Sequence, residues 1–230
     1  MIAEKLREVE AAIDESRQNR TSVDKDAPVE LVAVTKNHDV NAMREAIDAG
    51  VKIVGENRIQ EAMKKHETLD REVSWQLIGH LQTNKVNQAV QLFDMIHSVD
   101  SDHLMTALDR AAKKINKVQD ILLQVNLARE DSKFGVYKED LPLLIQKADS
   151  MDHLHLCGLM CIAPNYEDVE DCRPLFHEMY EIFQRVQEMP LLTSNIKYLS
   201  MGMTHDYRIA IEEGANMVRV GTAIFGARQY

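Results

Sequence analysis

Apolar runs rich in β-branched residues alternate along this chain with longer amphipathic segments. The run VELVAVTK (29–36) is followed by VNAMREAIDAG, whose apolar positions recur at helical spacing and whose Gly50 is typical of a helix C-terminus. The same alternation continues towards the end of the chain. The predicted strands are residues 29–36, 52–57, 74–79, 95–100, 120–126, 153–163, 196–202 and 216–226.

Strands that alternate with helices pair in parallel through right-handed crossovers. Eight such units predict a closed (β/α)8 TIM barrel, and we expect residues 1–230 to form this single domain. The alternative is a doubly wound open sheet, which usually carries a glycine-rich loop after its first strand, where this chain has TKNHD. Residues 1–20 are predicted to form a helix that flanks the barrel bottom through Leu6, Val9 and Ile13.

Active sites of such barrels lie at the C-terminal ends of the strands. Here these ends carry one lysine and one arginine among uncharged groups, with no cluster of carboxylates. A glycosidase needs a pair of acids, and a magnesium or calcium site needs several oxygen ligands, so the pattern disfavours both. The strand-end residues are Lys36, Asn57, Gly79, His80, Ser98, Asn126, Met160, Ala163, 200–203 and 219–222.

Lys36 ends the first predicted strand, so its amine is expected in the barrel mouth with its stem among apolar neighbours. Burial lowers the pKa of an amine, and a neighbouring cation such as Arg219 lowers it further. A neutral lysine amine is suited to forming a Schiff base with an aldehyde or ketone. The alternative is an amine that simply extends into solvent, and Lys36 alone does not decide between the two.

The seventh and eighth strands add a pattern typical of anion binding. Gly221 and Thr222 follow the last strand and begin a short helical sequence, whose main-chain amides would attract an anion. Ser200 and Thr204 supply hydroxyls at the neighbouring strand end, where barrels often bind phosphate. The alternative is an ordinary turn with an N-cap threonine.

A lysine for a Schiff base and an anion site across the mouth together suggest a phosphorylated aldehyde, and pyridoxal 5′-phosphate fits that description. Arg219 lies two residues before Gly221 on the same strand face, so its guanidinium is expected near the pyridine ring. Because two adjacent cations repel, the guanidinium would keep the pyridine nitrogen unprotonated. Such a ring is a poorer electron sink, which handicaps carbanion chemistry.

Seven segments of the chain resemble the pyridoxal phosphate homeostasis protein family, whose barrel is similar to the N-terminal domain of alanine racemase. They run in order along nearly the whole chain, and the combination is far more specific than any one segment. Two positions depart from the family pattern: Thr204 replaces a common serine but keeps the hydroxyl, and His80 replaces a frequent proline and adds a titratable group. The segments are LVAVTK (31–36), GENRIQEA (55–62), WQLIGHLQTNK (75–85), DSKFG (131–135), GLMCIA (158–163), LSMGMTHDYRIAIEEG (199–214) and MVRVGTAIFGAR (217–228).

The resemblance implies a fold-type III barrel that carries pyridoxal phosphate as an internal aldimine on Lys36. It implies that the ends of the seventh and eighth strands hold the phosphate, that Arg219 faces the ring nitrogen, and that Asn57 borders the ring or its phenolic oxygen. Proteins of this family are regarded as carriers or regulators of cellular pyridoxal phosphate, with apo-enzymes as recipients and without an established turnover. The expected cofactor-binding set is Lys36, Asn57, Ser200, Met201, Met203, Thr204, Arg219, Gly221 and Thr222.

A pyridoxal-phosphate-dependent racemase or a related decarboxylase is the main alternative. Racemisation needs an acid or base on each face of the substrate carbon, and those enzymes add a β-rich domain for which the predicted barrel leaves no residues. Besides Lys36, the candidates are His80, Tyr137 and Tyr207, each more simply a loop residue, so we expect negligible racemase turnover. A Schiff-base aldolase would explain Lys36 and Gly221 but not the mild polarity of the remaining mouth.

The loop DSKFG brings Lys133 to the same end of the barrel as Lys36. A solvated loop lysine is the simpler interpretation of Lys133. The alternative is that the aldehyde passes between the two amines when the cofactor is released.

Charge and composition limit the classes of partner that this protein is expected to bind. The chain has 37 acidic and 27 basic side chains and a net charge of −10, which argues against nonspecific binding to nucleic acid or anionic membranes. No apolar run reaches the roughly 20 residues of a membrane-spanning helix, and the N-terminus has no signal-peptide core. We therefore expect a cytoplasmic protein, and a monomer, since no pattern marks a large exposed apolar surface.

The three cysteines do not predict a disulfide framework, because their number is odd and no export signal precedes them. His153, His155, Cys157 and Cys161 crowd the segment HLHLCGLMC. Their spacing matches no usual zinc pattern, and the segment alternates like a buried strand. We expect a strand at this position rather than a metal site.

Overall fold

Eight parallel strands close into a barrel in sequential order in the computed structural model, which describes residues 1–21, 23–130 and 133–226. Each strand pairs with the next, and β8 pairs with β1, so the predicted (β/α)8 barrel is confirmed. The strands are β1 (Glu30–Val34), β2 (Ile53–Glu56), β3 (Ser74–Leu77), β4 (Met95–Val99), β5 (Gln119–Val125), β6 (Leu154–Cys161), β7 (Tyr198–Met203) and β8 (Met217–Val220).

Helices cover the outside of the barrel, each with its apolar side towards the sheet. The helix after β1 begins at Asp39, whose side chain accepts a hydrogen bond from the Ala42 amide, and Gly50 follows its end with a φ of +120°. This positive φ agrees with the role predicted for Gly50. The helices are α1 (Ile2–Gln18), α2 (Val40–Asp48), α3 (Ile59–Thr68), α4 (Val86–Leu92), α5 (Asp102–Lys114), α6 (Leu141–Asp149), α7 (Arg173–Gln187), α8 (Tyr207–Glu212) and α9 (Thr222–Phe225).

The buried apolar side chains form two clusters separated by the sheet. A large outer cluster lies between the strands and the helices, and a small inner cluster fills the barrel interior. This division follows from the strand geometry, since successive side chains point to opposite faces. The inner cluster contains Val32, Met95, Leu122, Cys157, Met160 and Met217.

Helix α1 packs against α8, α9 and α2, with Leu6, Val9 and Ile13 buried as predicted. Leu6 and Ile13 line a cleft together with the residues that begin β1 and β2, so the helix flanks the lower part of the barrel. Arg20, which is almost wholly buried just after this helix, donates hydrogen bonds to four main-chain carbonyls. These bonds fix the connection between α1 and the barrel.

The first seven strands end within two residues of the predicted positions, whereas β8 ends six residues early. β1 stops at Val34 because Asn37 adopts a φ of +63° in the turn that follows. β8 stops at Val220, and residues that were assigned to its end form the short helix α9 instead. Residues 131–132 and 227–228 of the resembling segments lie outside the described residues. No helix within the described parts of the chain is long and apolar enough to cross a membrane.

Candidate functional site

Adjacent strand ends bring the predicted cofactor residues together at one side of the barrel mouth. The pairing of Val34 with Gly55 places the residues that follow, Lys36 and Asn57, on neighbouring strand ends. On the other side of β1, a Cβ added to Gly221 would lie 3.2 Å from the Val34 carbonyl oxygen, so the missing side chain permits this close approach. Lys36 therefore lies between the end of β2 and the end of β8.

Lys36 is half-buried, and its main chain is held from outside the barrel. Lys65 on α3 donates to the carbonyl of Thr35 at 2.7 Å and to the carboxylates of Glu56 and Glu61, each also at 2.7 Å. Glu61 in turn accepts from the Asn37 amide at 2.6 Å. We call Thr35, Glu56, Glu61 and Lys65 the outer network; it fixes the main chain on both sides of Lys36.

The outer network contains fully buried charge. Burial raises the pKa of Glu56, and the ammonium of Lys65 and the hydroxyl of Thr35 oppose this rise. For Glu61, burial also favours the neutral form, but hydrogen bonds from Lys65 and the Asn37 amide outweigh it and lower the pKa. One cation thus faces two carboxylates, which compensates its removal from water.

A row of hydrogen-bonded polar side chains crosses the barrel interior directly beneath the mouth. Arg219 donates to the Ser200 hydroxyl at 2.6 Å and to the Cys161 carbonyl at 2.9 Å. Ser200 Oγ lies 3.0 Å from His97 Nδ1, and His97 Nε2 lies 2.6 Å from Gln76 Oε1. Because Gln76 Oε1 can only accept, His97 carries its proton on Nε2 and accepts from Ser200 at Nδ1. We call Gln76, His97, Ser200 and Arg219 the inner chain.

The inner chain carries one positive charge and no negative one. Burial, with the Arg219 guanidinium next, holds the pKa of His97 well below its usual value, so its ring is neutral. Burial also lowers the pKa of Arg219, which is 3 % exposed. The hydrogen-bond acceptors of Arg219 are a hydroxyl and a carbonyl, and no carboxylate of the described residues forms an ion pair with it. The buried Asp206 carboxylate acts on the guanidinium only through space and opposes the lowering of its pKa by burial, so Arg219 is a buried cation without a hydrogen-bonded counter-ion.

The ends of β7 and β8 form the predicted phosphate side. Thr204 Oγ1 accepts from the Gly221 amide at 3.2 Å, which joins the two strand ends. Between them Gly202 has a φ of +96°, and a Cβ there would lie 2.7 Å from Ala210, so this position requires glycine. Asp206 Oδ1 accepts from the Met203 amide at 2.7 Å and fixes the turn. Thr222, which is exposed, begins α9 beside this turn.

Three predicted residues have surroundings that the sequence did not indicate. The Ser200 hydroxyl belongs to the inner chain and lies away from the surface, whereas the Thr204 hydroxyl lies at the Gly221 turn. The Met201 side chain packs in the outer cluster, so a contact from this residue to the mouth has to come from its main chain. The side chain of Met203 is partly exposed at the end of β7.

Pyridoxal phosphate fits the hydrogen-bonding capacity of these residues. Asn57 Oδ1 is buried without a hydrogen-bond partner, which leaves this acceptor available to a ligand at the position predicted for the ring. Arg219 offers a charge without a carboxylate partner, and Thr204 and Thr222 offer hydroxyls beside Gly221. The donor set contains amine, amide, hydroxyl and guanidinium groups, as a phosphorylated pyridine aldehyde needs.

Aromatic side chains cover the opposite side of the mouth. The His80 ring stacks on Phe134, with ring centroids 3.6 Å apart and the planes inclined by 10°. Lys133 pairs with Glu130 and lines a cavity of about 130 Å³ below Phe134. The sequence predicted His80 and Lys133 at the mouth. It did not indicate that His80 stacks on Phe134 or that Lys133 pairs with Glu130.

The other candidates for acid–base chemistry are also engaged. The Tyr137 ring lies under the guanidinium of Arg129, 5.0 Å from it, and Tyr207 is buried in the outer cluster. Sequence reasoning missed the outer network and two members of the inner chain, Gln76 and His97. A glutamate and a histidine inside apolar strands, Glu56 and His97, were the available signal, since such residues are rarely buried without a specific partner.

The four cysteines and histidines of HLHLCGLMC do not all gather at one point: only His155 Nδ1 and Cys157 Sγ lie close together, 3.3 Å apart. Cys157 faces the inner cluster and Cys161 the outer one, while His153 Nδ1 lies near the Lys117 carbonyl. All three cysteines are free and buried. Burial raises the pKa of Cys157 and of Cys161 to about 12.

Comparison with known proteins gives consistent results over the whole chain. The family model described as "Alanine racemase, N-terminal domain" matches residues 12–229. A pyridoxal phosphate homeostasis protein of Aquifex aeolicus is 40 % identical over 201 residues, which is 87 % of each chain. A second one, from Pseudomonas aeruginosa, is 38 % identical and covers 100 % of this chain and 96 % of its own.

Among solved structures, PipY of Synechococcus elongatus without pyridoxal phosphate matches with a TM-score of 0.87 and 36 % identity, covering 98 % of this chain and all of PipY. The form of PipY with pyridoxal phosphate bound matches with a TM-score of 0.82. A histidine racemase from Leuconostoc mesenteroides shares the fold, with a TM-score of 0.73 at 17 % identity, and is matched over 57 % of its length. By its sequence and its barrel, this chain belongs to the pyridoxal phosphate homeostasis protein family, within the wider group that shares the N-terminal domain of alanine racemase.

Proposed function

We propose that this protein binds pyridoxal 5′-phosphate covalently through the amine of Lys36 and serves in its intracellular homeostasis as a carrier or regulator. The observation that carries the proposal is the arc of strand ends that gathers Lys36, the unsatisfied amide of Asn57, the Thr204–Gly221 turn and the buried charge of Arg219. PipY, which matches 98 % of this chain, has been solved with pyridoxal phosphate bound, and this supports the same ligand here.

The chain's own residues have separable tasks in this proposal. The outer network holds the main chain beside Lys36, so that its amine is presented without local rearrangement. Thr204, Thr222 and the Gly221 turn hold the phosphate, and Asn57 borders the ring or its phenolic oxygen. The cofactor itself supplies an aldehyde that condenses reversibly with an amine.

Arg219 is the reason to propose holding rather than turnover. A permanent guanidinium charge beside a pyridine nitrogen opposes protonation of that nitrogen, which weakens the ring as an electron sink. The candidates for a second acid or base are His80 and Tyr137. The His80 ring is stacked on Phe134, and the Tyr137 ring lies under the guanidinium of Arg129. We propose apo-enzymes that require the cofactor as recipients, and a monomeric, single-domain protein acting in the cytoplasm.

The covalent link is tested by adding pyridoxal phosphate to the purified apo-protein. We expect a visible absorbance band in the wild type and in Lys52→Ala, a control at an exposed lysine at the opposite end of the barrel, but not in Lys36→Ala. Borohydride reduction followed by peptide mass measurement is expected to place the label on Lys36. A colourless wild-type protein, or a label on another lysine, would contradict the proposal.

The carrier role is tested by mixing the loaded protein with an apo-enzyme in the presence of a phosphatase that destroys free cofactor. We expect the enzyme to regain activity, because delivery on contact protects the cofactor. Lys133→Ala, with Lys138→Ala as its control, shows whether Lys133 takes part; equal transfer rates in the two variants would exclude it. Racemisation of alanine at an ordinary enzyme rate would favour the racemase alternative over the carrier.

A further inference from the structure

Three metal-ligand side chains meet at the bottom of the barrel, at the end opposite to Lys36. Asp120 and His155 are the second residues of β5 and β6 and are paired across the sheet. His155 Nδ1 lies 2.8 Å from Asp120 Oδ1 and 3.3 Å from Cys157 Sγ. Donor atoms of all three side chains lie within 4.8 Å of one another.

His155 and Cys157 are two residues apart on β6, so strand alternation places both side chains on the same side. Ile121 pairs with Leu156 but Leu122 pairs with Gly158, so β6 has one extra residue at Cys157. This bulge interrupts the alternation only after Cys157, and the Cys157 side chain faces the inner cluster beside His155. The segment HLHLCGLMC therefore supplies two ligands that its spacing alone did not predict, and Asp120 comes from the neighbouring strand.

The three groups do not form a nucleophilic triad. In such a triad the imidazole uses one nitrogen for the nucleophile and the other for the acid. Here the Cys157 sulfur and the Asp120 oxygen both face Nδ1 of His155. The sulfur, nitrogen and oxygen thus converge on one region, as ligands of a single cation do.

The exposure of the three side chains is that of an open metal site. Cys157 is buried, whereas the side chains of His155 and Asp120 are 35 % and 44 % exposed. The inner side is thus closed by protein, and the outer side is accessible to water and ions. The Lys197 ammonium, which donates to the Tyr198 hydroxyl at 3.0 Å, is a positive charge on the β7 side. A carboxylate and a thiolate together balance a divalent ion.

We propose that Asp120, His155 and Cys157 bind a zinc ion, with a fourth position left to water. Cysteine sulfur, histidine nitrogen and aspartate oxygen are the ligands that zinc takes in proteins, and three of them with an open position is a familiar arrangement. The Cys157 thiol loses its proton to solvent as the zinc–sulfur bond forms. This site is independent of the proposed function, because it lies at the other end of the barrel.

Equilibrium dialysis of the chelator-treated, full-length protein against low micromolar zinc, followed by metal analysis, tests the site. We expect one zinc per wild-type chain, and a loss of affinity of about tenfold or more in Cys157→Ser and in His155→Ala. Two matched controls keep the affinity: Cys172→Ser removes a buried thiol elsewhere, and His153→Ala removes the neighbouring histidine.

A second measurement reads the sulfur directly. Cobalt(II) bound in place of zinc is expected to give a thiolate-to-metal charge-transfer absorbance band in the wild type but not in Cys157→Ser, and excess magnesium or calcium is not expected to remove this band, since those ions prefer oxygen ligands. Wild-type protein that takes up no zinc would overturn the proposal. So would zinc uptake that is unchanged in both Cys157→Ser and His155→Ala, because the ion would then lie elsewhere.

Discussion

The outer network and the inner chain each bury a cation at the same strand ends, but they treat its charge in opposite ways. Lys65, outside the barrel, faces two carboxylates, whereas Arg219, inside it, has only a hydroxyl and a carbonyl as acceptors. Removing the partner of a buried, paired charge strongly destabilises a fold. A buried charge that has no partner already lowers the stability of the protein that keeps it. The difference agrees with the proposed function, in which the outer network holds the main chain and Arg219 faces the ligand.

The largest effect is expected from removing the cation of the outer network. Lys65→Met leaves Glu56 as an uncompensated buried carboxylate, which should lower the free energy of unfolding by about 3–5 kcal/mol. Urea unfolding measures this loss. The double variant Lys65→Met/Glu56→Leu removes both buried charges and is expected to recover most of it. If the double variant is no more stable than the single one, the loss does not come from the unpaired charge.

The inner chain is expected to make the free energy of unfolding depend on pH. The folded-state pKa of His97 is lowered below its unfolded value, so at acid pH the unfolded chain takes up a proton that the folded chain does not. Stability should therefore fall as the pH drops below about 6.5, and the contribution of His97 reaches about 1.4 kcal/mol one unit lower. The difference between wild type and His97→Gln in unfolding measured from pH 7.5 to 5.5 isolates this contribution. Equal pH slopes in the two proteins would show that His97 is not held neutral.

A smaller change is expected at Arg219. Arg219→Met loses two hydrogen bonds but also removes a buried unpaired charge, so the free energy of unfolding should stay within about 1 kcal/mol of wild type. The same variant should change the absorbance of bound pyridoxal phosphate under the proposed function. A destabilisation as large as that of Lys65→Met would contradict the inferred difference between the outer network and the inner chain.

The smallest loss of unfolding free energy is expected from breaking an exposed ion pair. This loss is the reference against which the buried groups are compared. Lys138 and Glu178 pair at 2.6 Å with both side chains almost half exposed. Lys138→Met should lower the free energy of unfolding by less than about 1 kcal/mol, since solvent screens such pairs. A loss greater than that in the same urea experiment would mean that pairing matters here independently of burial.

Much of the fold could be predicted because it depends on local pattern. All eight strands were placed from apolar runs, and the largest error, at the end of β8, arose where Gly221 turns a chain whose sequence remains apolar. Lys36, Asn57 and Gly221 were predicted from their positions at strand ends and from the resemblance to the family. Their joint role in binding a cofactor stays a prediction that the absorbance experiment addresses.

The partners of those residues could not be predicted, because they come from distant parts of the chain. Lys65 reaches Thr35 across 30 positions, and Arg219 reaches Cys161 across 58. Asp120 meets His155 only because β5 and β6 are paired in this register, and Cys157, two residues after His155, lies on the same side of β6. The sequence by itself determined the order of strands and helices and the chemistry available at the mouth, since periodicity and residue type are local properties. The closing of the barrel decided which charges are neutralised, which hydroxyl supports Arg219 and which donors converge at the bottom, because these depend on distances between strands remote in sequence.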